Sequence, residues 1–127
     1  MHEFAIAEGL VKIAQEELRK LGDPPPKPLA VHIAAGALNQ IVKESLDLAF
    51  ETLTADTPLA GACLVLRLIP AGGVCAKCGW EGSFPKPPFF CPKCESARVT
   101  LTSGRELYLE SLEIEDVLTV DQTGSVL

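Results

Sequence analysis

Four of the five cysteines form two pairs with identical spacing. Cys75 pairs with Cys78 and Cys91 with Cys94, and 12 residues separate the two pairs. In a chain that stays inside the cell, thiols are kept reduced, so such pairs predict a metal site rather than disulfides. Each CxxC unit folds into a knuckle that points two thiolates at one centre. Two knuckles therefore predict a single tetrahedral site.

The donor set favours zinc. Four thiolates suit Zn²⁺, and they leave no open position for water, so the predicted role of the ion is structural. A rubredoxin-type iron centre uses similar knuckles and stays open as an alternative. Gly79 follows the first knuckle and supports its sharp turn, whereas Glu95 follows the second, where we expect a more strained turn. We expect an aromatic cluster to pack around the metal: Trp80, Phe84, Phe89 and Phe90.

The cysteine segment interrupts an alternating pattern of helices and strands. Apolar periodicity predicts helices over 4–21 and 40–54, the second capped by Asn39. Strands are predicted over 29–35, 61–69 and 106–115. The predicted fold class is α+β: two helices packed on a small three-stranded sheet, with an inserted four-cysteine zinc-ribbon module.

The domain boundaries follow from the same pattern. Residues 1–69 and 105–117 would form one discontinuous α/β domain, and 70–104 the ribbon. The tail, 118–127, is polar and unpatterned, so we expect it to fray.

Several finer expectations concern the strands. The apolar residues of the last strand change phase from Leu107 and Leu109 to Leu112 and Ile114, which predicts a β-bulge near 110–111. The nearly continuous apolar run of 61–69 favours a strand that is central or buried on both faces. Within that run, Cys63 is interpreted as a small buried hydrophobe.

Composition limits the function. The net charge of −6 argues against non-specific nucleic-acid binding. No apolar run reaches the ~18 residues that a membrane span needs. The first residues lack the basic cluster that precedes the apolar run of a signal peptide, and this argues against secretion. The closed zinc site, the lack of a Ser/His/Asp set and the lack of a phosphate-binding glycine loop argue against an enzyme. A zinc-ribbon module for nucleic-acid or protein binding remains an alternative, although the ribbon carries only two net positive charges, from Lys77, Lys86, Lys93 and Arg98 against Glu81 and Glu95.

The first three residues form a second candidate metal site. Because His2 is bulky, Met1 should be retained, and the His2 imidazole can then join the terminal amine and backbone nitrogens around one ion. Deprotonated amides give a strong planar field, which suits Ni(II) or Cu(II). Glu3 could add a carboxylate or cap the helix that follows. His32, by contrast, is interpreted as a core-edge or solvated residue.

Together these pieces resemble one family. The Met1-His2-Glu3 opening before an amphipathic helix, the CxxC…CxxC insert and the return segment Ser103-Gly104-Arg105-Glu106-Leu107 are similar to the HypA family of hydrogenase nickel-insertion accessory proteins, over essentially residues 1–116. One departure is Gly36-Ala37-Leu38-Asn39, where members often have Gly-x-Leu-Ser.

The resemblance implies a cytoplasmic nickel metallochaperone with two metals. Ni²⁺ would be cargo, bound by the Met1 terminal amine, His2 and Glu3. Structural Zn²⁺ would be held by the four paired cysteines, Cys75, Cys78, Cys91 and Cys94. The implied partners are a HypB-type GTPase and the large subunit of [NiFe]-hydrogenase, with urease maturation proteins as further candidates, and neither nucleic acid nor a membrane.

Overall fold

The structure, a computed structural model, describes residues 2–84 and 88–115. Within these ranges the first part of the chain forms α1 (Glu3–Arg19), β1 (Pro28–Gly36), a 3₁₀ turn (Ala37–Asn39), α2 (Lys43–Thr54) and β2 (Cys63–Ile69). The second part forms β3 (Ala71–Cys75), β4 (Glu81–Phe84), β5 (Val99–Ser103) and β6 (Leu107–Ile114).

The first sheet has the strand order β2-β1-β6, with β2 parallel and β6 antiparallel to β1. Both helices pack on one face of it, because the apolar stripe of each helix matches the apolar face of β1. The core includes fully buried side chains from both helices, from β1 and from the α2–β2 connection: Leu18, Leu46, Val31, Ile33 and Leu59. The predicted α+β class, two helices on a three-stranded sheet, is confirmed.

The opposite face of the sheet is closed over β1 by polar side chains. Ala34 is fully buried there, and its neighbours in register are Arg67 on β2 and Tyr108 on β6. The Arg67 guanidinium donates to the Tyr108 hydroxyl at 3.2 Å and to the Glu110 carboxylate at 2.7 Å. The small Ala34 side chain leaves room for this bridge between the two edge strands. Nearby, the half-buried His32 lies 3.2 Å from the Glu113 carboxylate, in agreement with a core-edge position.

The position predicted for the second strand is wrong. β2 lies at an edge of the sheet, Leu68 is 62% exposed, and Cys63 at its first position is exposed instead of buried. Only Leu64 of this strand is buried beneath the helices. The reason is topological: β1 takes the central place, and two helices are too few to cover every apolar side chain of the edge.

The predicted bulge is confirmed. The register of β6 against β1 shifts between His32 and Ile33, which face Ser111 and Leu109 and leave Glu110 between them. The extra residue turns Leu109 and Leu112 toward the same helical layer, although they differ in sequence parity.

The predicted cap of the second helix is wrong. Asn39 ends the 3₁₀ turn, and its amide donates to the Glu106 carbonyl at 2.8 Å. Gln40 then adopts a left-handed φ of 52°, and α2 begins at Lys43 after Val42. Leu21 and Val42 lie within the predicted helix ranges 4–21 and 40–54, but they are 53% and 50% exposed because both lie outside the two observed helices.

The second sheet, β4-β3-β5, is antiparallel throughout, and it carries the cysteine segment. The chain enters it directly after β2 and returns through Gly104 to β6. At this junction Gly36 donates to the Glu106 carbonyl at 2.7 Å and Leu38 to the Gly104 carbonyl at 2.8 Å. The end of β1 is thereby tied to the returning chain.

Gly36 is a sensitive position at this junction. A Cβ there would lie 2.0 Å from the Gly104 carbonyl carbon, a contact that only a backbone shift can relieve. We expect Gly36→Ala to destabilise the protein by about 2–4 kcal/mol. The matched control is Gly9→Ala on α1, where a Cβ meets no atom of the described residues within 4 Å. That substitution should stabilise by about 0.5–1 kcal/mol.

Thermal unfolding followed by the helical circular dichroism signal measures both variants. Shifts of equal size and direction would contradict the close approach of Gly36 and Gly104.

Candidate metal centre

The two knuckles have the same local geometry. Cys75 closes β3, and its carbonyl accepts the Gly79 N–H at 2.9 Å; the Cys91 carbonyl accepts the Glu95 N–H at 2.8 Å. Both turns need a left-handed residue, with φ of 82° at Gly79 and 63° at Glu95. Glycine adopts this conformation without cost, whereas glutamate does not. The second knuckle is therefore the more strained one, as the sequence predicts.

The knuckles bring all four cysteines together. The ligand atoms of the cluster lie within 4.8 Å of one another, with Sγ–Sγ distances of 3.6 Å from Cys75 to Cys94 and 3.5 Å from Cys78 to Cys91. A tetrahedron with Zn–S bonds of about 2.3 Å has sulfur–sulfur edges of about 3.8 Å. The cluster thus has the size of a zinc site with four thiolate ligands. Cys75 and Cys91 are buried, and Cys78 is exposed at the rim.

Backbone N–H groups lower the pKa of two of the four thiols, which favours the thiolate form that binds a cation. The Cys78 N–H, 3.4 Å from Cys75 Sγ, lowers the pKa of Cys75 to about 6. Burial raises the pKa of Cys91, but N–H groups including that of Cys94 outweigh it and hold that pKa below its ordinary value. For Cys94 the Ser96 N–H lowers the pKa, while burial and the neighbouring thiols raise it to about 11. A divalent cation is needed to make all four sulfurs anionic at neutral pH.

Three aromatic side chains of the cysteine segment pack against one another. Trp80 meets Phe84 edge-on at a centroid distance of 5.3 Å, and Phe84 meets Phe89 at 5.4 Å. Phe90, which was also expected in this aromatic cluster, is 51% exposed.

The N-terminal candidate site lies at the start of α1. His2 is exposed, and its carbonyl accepts the Ile6 N–H at 3.0 Å, the first bond of the helix. Glu3 is 9% exposed, and its Oε2 accepts the Val42 N–H at 2.9 Å. That hydrogen bond lowers the pKa of Glu3 and outweighs the effect of burial. Met1, the third residue of the predicted nickel site, lies outside the described residues.

Sequence reasoning missed the partner of Glu3. The contact joins the first turn of α1 to the residue before α2, 39 positions away, through a backbone N–H. A backbone donor leaves no signal in the sequence, so only the tertiary packing of the two helices could reveal it.

Neither helix in the described part of the chain is long and apolar enough to cross a membrane.

The fold and the cysteine cluster define a class: an α+β protein with an inserted zinc-ribbon module. Comparison with known proteins narrows that class. A family model described as hydrogenase/urease nickel incorporation, metallochaperone, HypA, matches residues 1–114. The chain therefore belongs to the HypA family of nickel metallochaperones, which confirms the resemblance noted in its sequence.

Individual relatives agree. The hydrogenase maturation factor HypA of Solidesulfovibrio magneticus is 41% identical over 120 residues, covering 91% of this chain and all of the relative. That of Streptomyces avermitilis is 38% identical over 124 residues, covering 97% and 94%. The solution structure of the nickel metallochaperone HypA from Helicobacter pylori is similar, with a TM-score of 0.59 and 25% identity, covering 90% of this chain and 97% of that one.

Proposed function

We propose that this chain takes up Ni(II) at its N-terminus and delivers it during the maturation of [NiFe]-hydrogenase. Besides the family match, one observation carries the proposal. His2 is exposed at the start of α1, and the residue that follows it, Glu3, is buried and hydrogen-bonded to Val42. The His2 side chain in this place is open to an incoming ion and to a recipient, and it is attached to a helix that packs against α2. We assign Met1, His2 and Glu3 to this nickel site.

The second part of the proposal is a resident zinc ion bound by Cys75, Cys78, Cys91 and Cys94. The matching sulfur spacing supports it. We further propose that the ribbon, 70–104, and the α/β unit, 1–69 with 105–117, are separate functional units, one for stability and one for nickel. Residues 85–87 of the ribbon, 116–117 of the α/β unit and the predicted tail at 118–127 lie outside the described residues.

The proposed partners are a HypB-type GTPase, the large subunit of [NiFe]-hydrogenase and, as further candidates, urease maturation proteins. Exposed apolar side chains beside His2 support a protein recipient: Phe4 is 52% and Leu48 65% exposed, and both line an open depression with His2. We propose a carrier without turnover of its own. The free thiols suit a reducing compartment, which supports a cytoplasmic location.

A nickel titration of protein that starts at Met1 tests this function. Zinc-loaded protein should bind one nickel per chain with the absorbance of a planar nitrogen site, and its zinc content should not change. Copper binding alone, or nickel that displaces zinc mole for mole, would contradict the proposal.

Acid should release nickel before zinc. Nickel binding at this site requires a neutral imidazole and deprotonated amide nitrogen, so protons compete with the ion. In the ribbon, bound zinc itself keeps the four thiolates deprotonated, so the cysteine cluster should retain its ion to a lower pH.

A pH titration from about 7 to 5 measures the order, with nickel followed by ligand-field absorbance and zinc by a chromogenic chelator. Zinc loss before nickel loss, or nickel occupancy that does not change over this range, would exclude His2 and the amides as ligands.

A further inference from the structure

The last strand of the first sheet has an open edge. Within residues 2–84 and 88–115, β6 pairs with β1 alone, so the N–H and C=O groups on its other side have no strand partner there. The strand is eight residues long, contains neither lysine nor proline, and is interrupted only by its bulge at Glu110. Natural proteins commonly place lysine or proline on an edge strand to prevent its pairing with another chain. The edge of β6 has no such protection.

A groove runs along this edge, between β6 and α1. Its volume is about 550 Å³, and it is lined by six consecutive residues of β6, 107–112, together with Ile13, Glu17 and Leu21 on the helical side. The spacing of four residues places these three side chains in one row. Ile13 is 47% and Leu21 53% exposed, so the helical wall of the groove is largely apolar and open to solvent.

The groove continues toward the start of α1. A second depression of about 350 Å³ is lined by residues that include Gly9 and Ile13 of α1 and by Leu107 and Tyr108 of β6. Gly9 leaves space there, because a Cβ at this position would meet no atom of the described residues within 4 Å. Together the two depressions follow the helical side over residues 5–21, a length of roughly 24 Å. A strand of eight residues, such as β6 itself, has a similar length of about 26 Å.

The two faces of β6 offer different contacts to a neighbouring strand. On the helical face, side chains such as Leu112 pack toward the core and the groove. The opposite face carries two carboxylates. Glu110 is paired with Arg67 at 2.7 Å and is 29% exposed, whereas Glu113 is 58% exposed and faces His32. A strand beside β6 therefore meets an apolar wall on one face and an acidic one on the other.

Charge disfavours a second copy of this chain as that strand. Residues 106–115 include four glutamates and no basic residue. Two β6 strands side by side would place like charges opposite each other, which destabilises cross-strand pairs. A strand with basic side chains on its outer face complements the glutamates instead.

We propose that the groove between α1 and β6 binds an extended segment of a partner protein, which adds to the sheet as a fourth strand beside β6. Alternate side chains of this segment are apolar and pack against the helical wall, and those between them are lysine or arginine and lie on the glutamate face. The backbone groups of the open edge supply the affinity, and the alternation supplies the specificity. This surface is separate from the proposed nickel site, and the inference does not depend on nickel delivery.

Synthetic peptides test the pattern on the full-length, zinc-loaded protein. The probe is a fluorescein-labelled peptide of eight residues that alternates valine and arginine. One control has the same composition with its four arginines together, and another alternates valine and glutamate. By fluorescence anisotropy the probe should bind at least about tenfold more tightly than either control. In nitrogen–proton correlation spectra, the probe should shift the amide signals of 107–112 and slow their hydrogen exchange.

Protein variants locate the site. Ile13→Glu adds a negative charge, which would strengthen a purely electrostatic attraction, but it places that charge in the apolar groove and should weaken binding about tenfold. The matched control is Leu48→Glu on α2, where another exposed apolar residue lies outside the groove, and binding should change by less than about twofold. Glu113→Gln should weaken binding about threefold. Helical circular dichroism confirms that each variant is folded.

Several results would overturn the inference. Equal binding of the control with clustered arginines would reduce the interaction to attraction between opposite charges. Equal losses in Ile13→Glu and Leu48→Glu would exclude the groove. A dimer in sedimentation that Ile13→Glu abolishes would assign the groove to a second copy. A chain ending at Glu115 that binds the probe more than about tenfold more tightly would assign it to residues 116–127. None of these measurements involves nickel, so the proposed function is tested separately.

Discussion

His2→Ala is expected to abolish stoichiometric nickel binding while zinc stays at one ion per chain. In the proposed site the imidazole closes the chelate that the terminal amine and the His2 amide begin, and no other histidine is within the first turn of α1. Without it a planar field of four donors cannot form, so we expect the nickel affinity to fall by at least ~100-fold. Isothermal titration and ligand-field absorbance measure the loss, and elemental analysis measures the zinc.

The chain offers a matched control. His32→Ala removes the other of its two histidines, which lies on β1 near Glu113 in the sheet, and should leave nickel binding unchanged. Adding one glycine before Met1 should be as harmful as His2→Ala, because it moves the terminal amine out of the chelate. An extended protein with native nickel affinity and a planar spectrum would refute an amine-based site.

Cys91→Ser should remove zinc and unfold the ribbon while the helical unit remains folded. Structural zinc contributes about 10–16 kcal/mol of apparent binding free energy in small metal-dependent units, and the second sheet has only three rings and short strands to replace it. The helical core draws on α1, α2 and the first sheet, so its residues lie outside 71–104. Its helices should therefore survive.

Cys63→Ser provides the comparison, since Cys63 is exposed on β2 and is not part of the cluster. It should retain one zinc per chain and wild-type circular dichroism. Unchanged zinc content in Cys91→Ser, or the loss of its helical signal, would contradict the assignment of a closed structural site in a separate unit.

The fold was predictable where local pattern and tertiary packing agree. The stripe of α1 and the phase change in β6 each report which face of the element packs on the core, and the structure has both. The prediction failed for β2, because its apolar run is compatible with either a central or an edge position. Strand order depends on which strands pair with β1, and these strands are distant from β1 in sequence.

The ligands of the metal sites were predictable for the same reason. The CxxC spacing predicts the cysteine cluster because four thiolates around one ion require two turns of fixed length, and both turns are local. The His2 position likewise depends only on covalent distance from the first residue.

Only the tertiary structure shows the contacts between elements that are distant in sequence. Examples are the Glu3–Val42 bond, the approach of Gly36 to Gly104 and the Arg67 bridge over Ala34. Two of these three contacts involve backbone atoms, which are the same in every residue and so leave no signature in side-chain pattern. The sequence by itself determined the cysteine cluster and the proposal of an N-terminal nickel site, because the donors of each lie in short local segments. Only the tertiary structure decided the packing of α1 on α2 and of β1 on the returning chain, because those contacts join residues that are distant in sequence.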